Sequence, residues 1–298
     1  MRNEAFLEGK KTLISRDPLI MGAVAYDAKV VTIWDGFGQY FRKHGLHFDY
    51  VLYTNYEAQV AAHLSGHVQV AWNSPLAWLQ AERVATSLGR QAEALCMRDT
   101  DRDLTSIVLV RADSGINEVA DLRQRRVAVG ANDSPQATLI PLNYLADSGL
   151  APRRDFEVVL FDYLVGKHGD HIGGERDAVR ALVRGEVDAA CILDANHLAF
   201  TREGTIPSGA ARILAQTPPY DHCNFTAFAD APKAQVARFR ELLLDMSYAD
   251  AEVRPLLDLE GLKRWVPGRV EGYAQLASAI ERFSTIDGFV QDSVARCR

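Results

Sequence analysis

The chain has 298 residues, 48% of them hydrophobic and 24% charged, with a formal net charge of −6. That length suffices for two lobes with buried cores, and the acidic balance argues against a nucleic-acid or anionic-membrane surface, which needs clustered Lys and Arg; the densest basic cluster, Arg123, Arg125 and Arg126, reads as a solvated turn. No apolar run approaches the ~20 residues needed to cross a bilayer, so no membrane insertion is expected.

In chain order, Met1 to Lys11 lacks the continuous apolar stretch of a secretory leader. As written the chain reads as cytoplasmic, and as periplasmic if a leader has been removed. A strand is predicted from Leu19 to Ala25. Val30, Ile33, Trp34, Phe37 and Phe41 then recur at helical spacing until Gly45 stops the turn. Strand Phe48 to Tyr53, helix Tyr56 to Leu64, strand Val68 to Trp72, helix Leu76 to Leu88 and strand Ala92 to Met97 follow. This βαβα order predicts parallel strands covered by helices.

Polar residues 99–103 precede strand Ser106 to Val110 and a short helix, Ile116 to Leu122, after which a second βα series starts at Val127. Its members are helix Ala137 to Ser148, with Pro141 expected to kink it or mark a short first segment, strand Phe156 to Phe161, helix Arg176 to Arg184 and strand Val187 to Leu193. After strand Ala211 to Ala215 and Thr217-Pro218-Pro219 the remainder reads as mostly helical, returning to the first lobe. The lobes are therefore expected to comprise residues 1–106 plus 217–298, and 107–216. Ala62 to Ala71 echoes Ala181 to Ala190, each a helix end, a Gly stop and a buried strand, which a helix-to-strand turn can produce without common ancestry.

Two junctions stand out. Strand 68–72 runs into Asn73-Ser74-Pro75, and strand 126–129 into Asp133-Ser134-Pro135. Ser favours the N-cap and Pro the first helical position, and the free N–H groups beyond them attract anionic or strongly polar groups. Capping alone explains either junction singly; the pair suggests a cleft with one on each wall. Ligands of open parallel sheets sit outside the carboxyl ends of strands. Those ends hold Tyr26, Asn73, Ser74, residues 133–138 with Ser134, Gln136 and Thr138, residues 162–171 with His168 and His171, and Asp194 with His197.

Lys167-His168-Gly169-Asp170-His171 and Tyr220-Asp221-His222-Cys223-Asn224 are both expected to face this cleft. His168, His171, His222 and Cys223 are donors that suit iron or zinc. The alternative is solvated loop histidines and a small buried thiol, because no compact metal motif is present. The four cysteines, Cys96, Cys191, Cys223 and Cys297, form no CxxC pair and predict no disulfide framework.

Gly22-Ala23-Val24-Ala25-Tyr26, the run Gly66 to Ala77, Asp133-Ser134-Pro135-Gln136-Ala137-Thr138, Gly185-Glu186-Val187-Asp188-Ala189 and Thr217-Pro218-Pro219-Tyr220, in that order, resemble the phosphate/phosphonate-type solute-binding proteins of ABC transporters. The resemblance spans about residues 19 to 245. It implies the α/β type II periplasmic binding-protein fold: two Rossmann-like lobes with mixed, mainly parallel sheets, joined by a two-strand hinge. It also implies a small polar or anionic ligand and an ABC permease as partner.

Under that resemblance Ser134, Gln136 and Thr138 match the second-lobe anion clamp, and Asn73-Ser74 the first-lobe contact. The chain departs from it at Asp133-Ser134-Pro135-Gln136, where Ser-Thr-Ser-Gly is usual, and at Gly174-Glu175-Arg176-Asp177, where Gly-Ser-His-Asp is usual. A carboxylate at Asp133 or Glu175 disfavours a phosphonate dianion. Tyr26, Asn73, Ser74, Ser134, Gln136, Thr138, His171, Asp194 and His222 are the expected ligand contacts. The other reading is a cytoplasmic enzyme on the same fold with a His/Asp/Cys-lined, iron- or zinc-dependent cleft, similar to relatives that make thiamin pyrimidine or menaquinone precursors. Fold alone does not choose between them.

Overall fold

The computed structural model describes residues 17–170 and 172–297. The first lobe begins β1 (Leu19–Val24), α1 (Lys29–Lys43), β2 (Phe48–Tyr53), α2 (Tyr56–Leu64), β3 (Val70–Asn73), α3 (Pro75–Ser87) and β4 (Ala92–Arg98). The apolar stripe of α1 is buried and meets Trp72, Phe225, Phe239 and Trp265 in the largest core cluster, as its spacing requires.

The second lobe contains β5 (Ser106–Arg111), β6 (Arg126–Val129), α4 (Ile140–Asp147), β7 (Glu157–Leu160), α5 (Glu175–Val183), β8 (Ala189–Leu193), α6 (Asp194–Arg202) and β9 (Ala211–Gln216). The chain then adds β10 (Asn224–Phe228), α7 (Lys233–Leu244), α8 (Arg254–Glu260), β11 (Trp265–Pro267), α9 (Ala274–Phe283) and α10 (Asp287–Cys297). The sheets run β11-β4-β10-β3-β1-β2 and β7-β6-β8-β5-β9.

The expectation of mainly parallel sheets is corrected. β1 pairs in parallel with β2 and β3, and β6 with β7 and β8. The remaining pairings, β10 with β3 and β4, β11 with β4, and β5 with β8 and β9, are antiparallel. The cause is the crossing of the chain between lobes: β10 enters the first sheet from the opposite direction and inserts between β3 and β4. A mostly helical remainder was expected after the Pro-rich turn, with no strand at β10. Asn224-Phe225-Thr226-Ala227-Phe228 has the alternation of a strand, but all five residues are buried, and the Pro-rich turn before it hid the start.

Two smaller points are local. The segment expected as helix 116–122 forms only a 3-10 turn, Val119–Leu122. Pro141 follows a short first segment, the second of its two expected effects: a π turn over Pro135–Leu139 precedes α4, so Pro141 falls in the first turn of α4, where its missing N–H has no intrahelical partner to lose.

Two antiparallel segments cross between the lobes. Leu104 and Tyr220 exchange backbone hydrogen bonds of 2.8 Å each way, and Thr217 N–H donates to the Ser106 carbonyl at 2.9 Å. The Ser106 hydroxyl lies 2.7 Å from that of Tyr220. The carboxyl-terminal helices do not simply return to the first lobe. α10 packs on α2 and α3, whereas α9 also faces α4, where Arg282 pairs with Asp147 at 2.5 Å. Among the described residues, no helix is long and apolar enough to cross a membrane.

Candidate functional site

Both Ser-Pro junctions form the helix starts their sequences predict. Ser74 Oγ accepts from Ala77 N–H at 3.1 Å and Ser134 Oγ from Ala137 N–H at 3.2 Å. Neither tip is open. Ser74 and Ser134 are fully buried, and residues 166–169 of the loop between β7 and α5 lie over both. His168 Nδ1 is 2.5 Å from Ser74 Oγ, its Nε2 is 3.1 Å from Glu57 Oε1, and its ring stacks on Tyr56 at 4.7 Å. Gly169 rests on Ser134 so closely that a Cβ there would come within 2.5 Å of Oγ.

The expectation of two tips facing a guest is thereby corrected: the chain's own loop occupies them. Glycines make the fold-back sterically feasible. Gly166, Gly169, Gly173 and Gly174 all have positive φ, which disfavours any side chain. Four further contacts tie this second-lobe loop down. Tyr56 O–H donates to Asp170 Oδ2 at 2.6 Å and Tyr56 N–H to the Gly166 carbonyl at 2.9 Å. Lys167 Nζ donates to the Ala25 carbonyl at 2.6 Å, and Gly166 N–H to Asp133 Oδ2 at 2.6 Å. Burial alone would raise the Glu57 carboxyl, but its hydrogen bond to His168 and that group's charge prevail and hold it below its usual value.

Beside the loop the two lobes line a half-open cavity of about 400 Å³. Arg98, Asp101, His222 and Glu260 line it from the first lobe, and Gln136 and Asn196 from the second. Arg98 stands at the carboxyl end of β4, its guanidinium 5.3 Å from the Trp72 ring centroid. It donates from Nε and Nη2 to the two oxygens of Asp101, at 2.6 and 2.8 Å, and from Nη1 to Glu260 Oε1 at 3.3 Å.

Burial opposes ionisation of Asp101, but Arg98 prevails and holds its carboxyl well below the usual range, with help from His222. Burial dominates at Glu260, pushing it to about 7 against the pull of Arg98. Behind the second-lobe wall Glu175 is pushed by burial to about 8, although its Oε2 accepts from Leu193 N–H and Asn196 Nδ2, each at 2.8 Å.

Among the expected contacts, Gln136 and His222 line this cavity. Tyr26 is half-buried near it, burial and then the charges of Glu260 and Asp170 raising its hydroxyl far above its ordinary value. Asp194 is the half-buried first residue of α6. Asn73 is committed to the first-lobe core, accepting from Gln59 Nε2 and donating to Thr226 Oγ1 at 2.8 Å each. Thr138 lines a different cavity, with Leu142 and Phe283. His171 lies outside the described residues.

The metal candidates do not form one cluster. His168 is held at Ser74, and the group with donors close enough for one ion, among the described residues, is Asp101, His222 and Cys223. These atoms already have protein partners: both Asp101 oxygens are taken by Arg98, and Cys223 Sγ is 3.1 Å from His222 Nδ1, which lies 3.4 Å from Asp101 Oδ1. Burial pushes the Cys223 thiol well up, and with Asp101 already committed to Arg98 nothing in this set favours iron or zinc.

Sequence reasoning missed Arg98, Asp101 and Glu260. Arg98 ends a strand, the same signal that found Tyr26, but the acidic residues after it read as a linker. Glu260 comes from α8, distant in sequence, and no local pattern announces it.

The family model for the periplasmic substrate-binding protein of phosphonate ABC transporters matches residues 22–273. Solved structures share the fold. The PhnD1 protein of Prochlorococcus marinus in complex with methylphosphonate is 16% identical with a TM-score of 0.67, over 90% of this chain and 98% of that one. A Xanthomonas citri protein bound to ATP is 18% identical with a TM-score of 0.67, over 93% and 98%. The Escherichia coli aliphatic sulphonate binding protein SsuA is 18% identical with a TM-score of 0.56, over 91% and 88%.

Proposed function

Because the chain belongs to the phosphonate ABC-transporter family of periplasmic substrate-binding proteins, we propose that it captures one small polar solute in its interlobe cavity and presents it to an ABC permease at the periplasmic face of the membrane. Solute-binding proteins of this family need no cofactor, and no observation favours the catalytic alternative. The single observation that carries the reading is the cavity of about 400 Å³, walled by Arg98, His222 and Glu260 from one lobe and by Gln136 and Asn196 from the other. A wall built from two lobes can be opened by moving one of them, which a cavity inside a single core cannot.

Residues 1–106 with 217–298, and 107–216, are the moving bodies in this proposal, and the paired segments around Leu104 and Tyr220 are the hinge. The test is native mass spectrometry of protein purified gently from its source. A stoichiometric small-molecule adduct that disappears after unfolding, washing and refolding supports capture. Mass equal to the bare chain, together with no thermal stabilisation by a metabolite extract, would refute it.

A further inference from the structure

Residues 166–170 tie the two lobes together beside the interlobe cavity, and none of them lines it. We propose that this segment is an interlobe latch: a projection of the second lobe that docks in a socket of the first whenever the cleft is shut, so that the release of a captured solute is controlled by contacts outside the cavity. The inference rests on the solute-binding reading above.

The segment is built onto the second lobe by its backbone. Gly166 N–H donates to Asp133 Oδ2 at 2.6 Å, the Gly169 carbonyl accepts from Gln136 Nε2 at 2.7 Å, and Ala131 N–H donates to the Gly173 carbonyl at 2.9 Å. Gly169 lies against Ser134 and Gly174 against the Phe161 carbonyl, with no room for a side chain at either place. Residues 131–136 directly follow β6, so a movement of the second lobe carries the segment with it.

Its side chains, in contrast, reach the first lobe. Lys167 Nζ donates to the Ala25 carbonyl at 2.6 Å, and Asp170 Oδ2 accepts from the Tyr56 hydroxyl at 2.6 Å. Between them His168 lies 2.5 Å from Ser74 Oγ and 3.1 Å from Glu57 Oε1, its ring stacked on Tyr56. The socket is thus the end of β1 and the starts of α2 and α3. His168 and Asp170 are 1% and 4% exposed, so these bonds are formed away from water, where each is stronger than at a surface. Separation of the lobes as rigid bodies breaks all of them together.

One bond reports directly on docking. Tyr56 is the first residue of α2, so its N–H has no acceptor within the helix. It donates across the lobes to the Gly166 carbonyl at 2.9 Å. Its hydrogen therefore exchanges with water when the latch lifts.

The experiment compares wild-type protein with Lys167→Met, each purified with its solute and each stripped of it. Amide exchange at Tyr56 is read by NMR, and loss of the solute adduct after dilution by native mass spectrometry. The solute is expected to slow exchange at Tyr56, while Lys167→Met quickens that exchange and shortens the adduct's lifetime, each about tenfold. Local loosening alone would quicken the exchange and leave the lifetime unchanged. Tyr56→Phe, which removes the bond to Asp170 and keeps the reporting amide, is the second variant should Lys167→Met not fold. Failure of either change in the folded variant overturns the latch and leaves solute capture intact. Where the wild type carries no adduct, solute capture fails, and the bare chains still judge the latch: quicker exchange at Tyr56 in the variant supports it, and an unchanged rate overturns it.

Discussion

Glu175 shows how one buried residue sets a pH dependence for the whole chain. It is fully buried at the start of α5, and its carboxyl is pushed from 4.5 to about 8. The folded state therefore holds a proton that the unfolded state releases between those two values. The resulting stabilisation is complete below about 4.5 and is lost as the pH rises to about 8. At roughly 1.4 kcal/mol per unit of displacement, it amounts to several kcal/mol. Glutamine keeps an acceptor for Leu193 N–H and Asn196 and cannot ionise. Glu175→Gln is thus expected to melt increasingly above the wild type from pH 5 to 8, as followed by circular dichroism. Parallel curves for the two proteins would show that Glu175 titrates normally.

At the scale of elements, the loop 162–174 matters most, because it replaces a ligand at two helix starts. Removing the imidazole in His168→Ala breaks contacts with Ser74 and Glu57 and a stack on Tyr56, and leaves buried groups unpaired. A loss of about 1–3 kcal/mol is expected in urea denaturation. The same change uncovers the start of α3, so sulfate affinity should rise in calorimetry; an unchanged affinity would mean that the tip stays closed without His168. Gly174 is the loop's fixed point, with φ of 88° and an added Cβ only 1.9 Å from the Phe161 carbonyl oxygen. Gly174→Ala should cost more than the ~1 kcal/mol of an ordinary unfavourable glycine replacement and shift the urea midpoint accordingly. A midpoint within error of the wild type would contradict the packing described for that turn.

The elements also show what the sequence disclosed. The βα alternation, the stripe of α1 and both Ser-Pro caps were legible because each depends on neighbours within a turn or two of chain. The plug was not: His168 lies 94 residues from Ser74 in sequence, and nothing local distinguishes a glycine-rich loop that opens to solvent from one that folds back into a cleft. Carried over by resemblance, Asn73 and Thr138 were expected at a ligand and lie away from the interlobe cavity, one in the first-lobe core and one at another cavity. The departures at Asp133 and Glu175 mark real differences in structure: Asp133 accepts from the loop at Gly166, and Glu175 is a buried carboxyl that holds its proton. Arg98, Asp101 and Glu260 meet only through tertiary packing, so spacing could not assemble them.

For the molecule as a whole, the proposed hinge is the paired segments at Leu104 and Tyr220, and the loop contacts and the Arg282 to Asp147 pair are the interactions that opening would have to break. Removal of the captured solute is expected to enlarge the radius of gyration in small-angle scattering, and its return to restore the compact value; identical profiles would argue for a rigid body. The measurement that bears most directly on where the solute sits is the electron density of crystals grown with the captured solute in place. The account predicts density between Glu260 and Gln136, with His168 still on Ser74. Density between Ser74 and Ser134, with the 162–174 loop displaced, would contradict it.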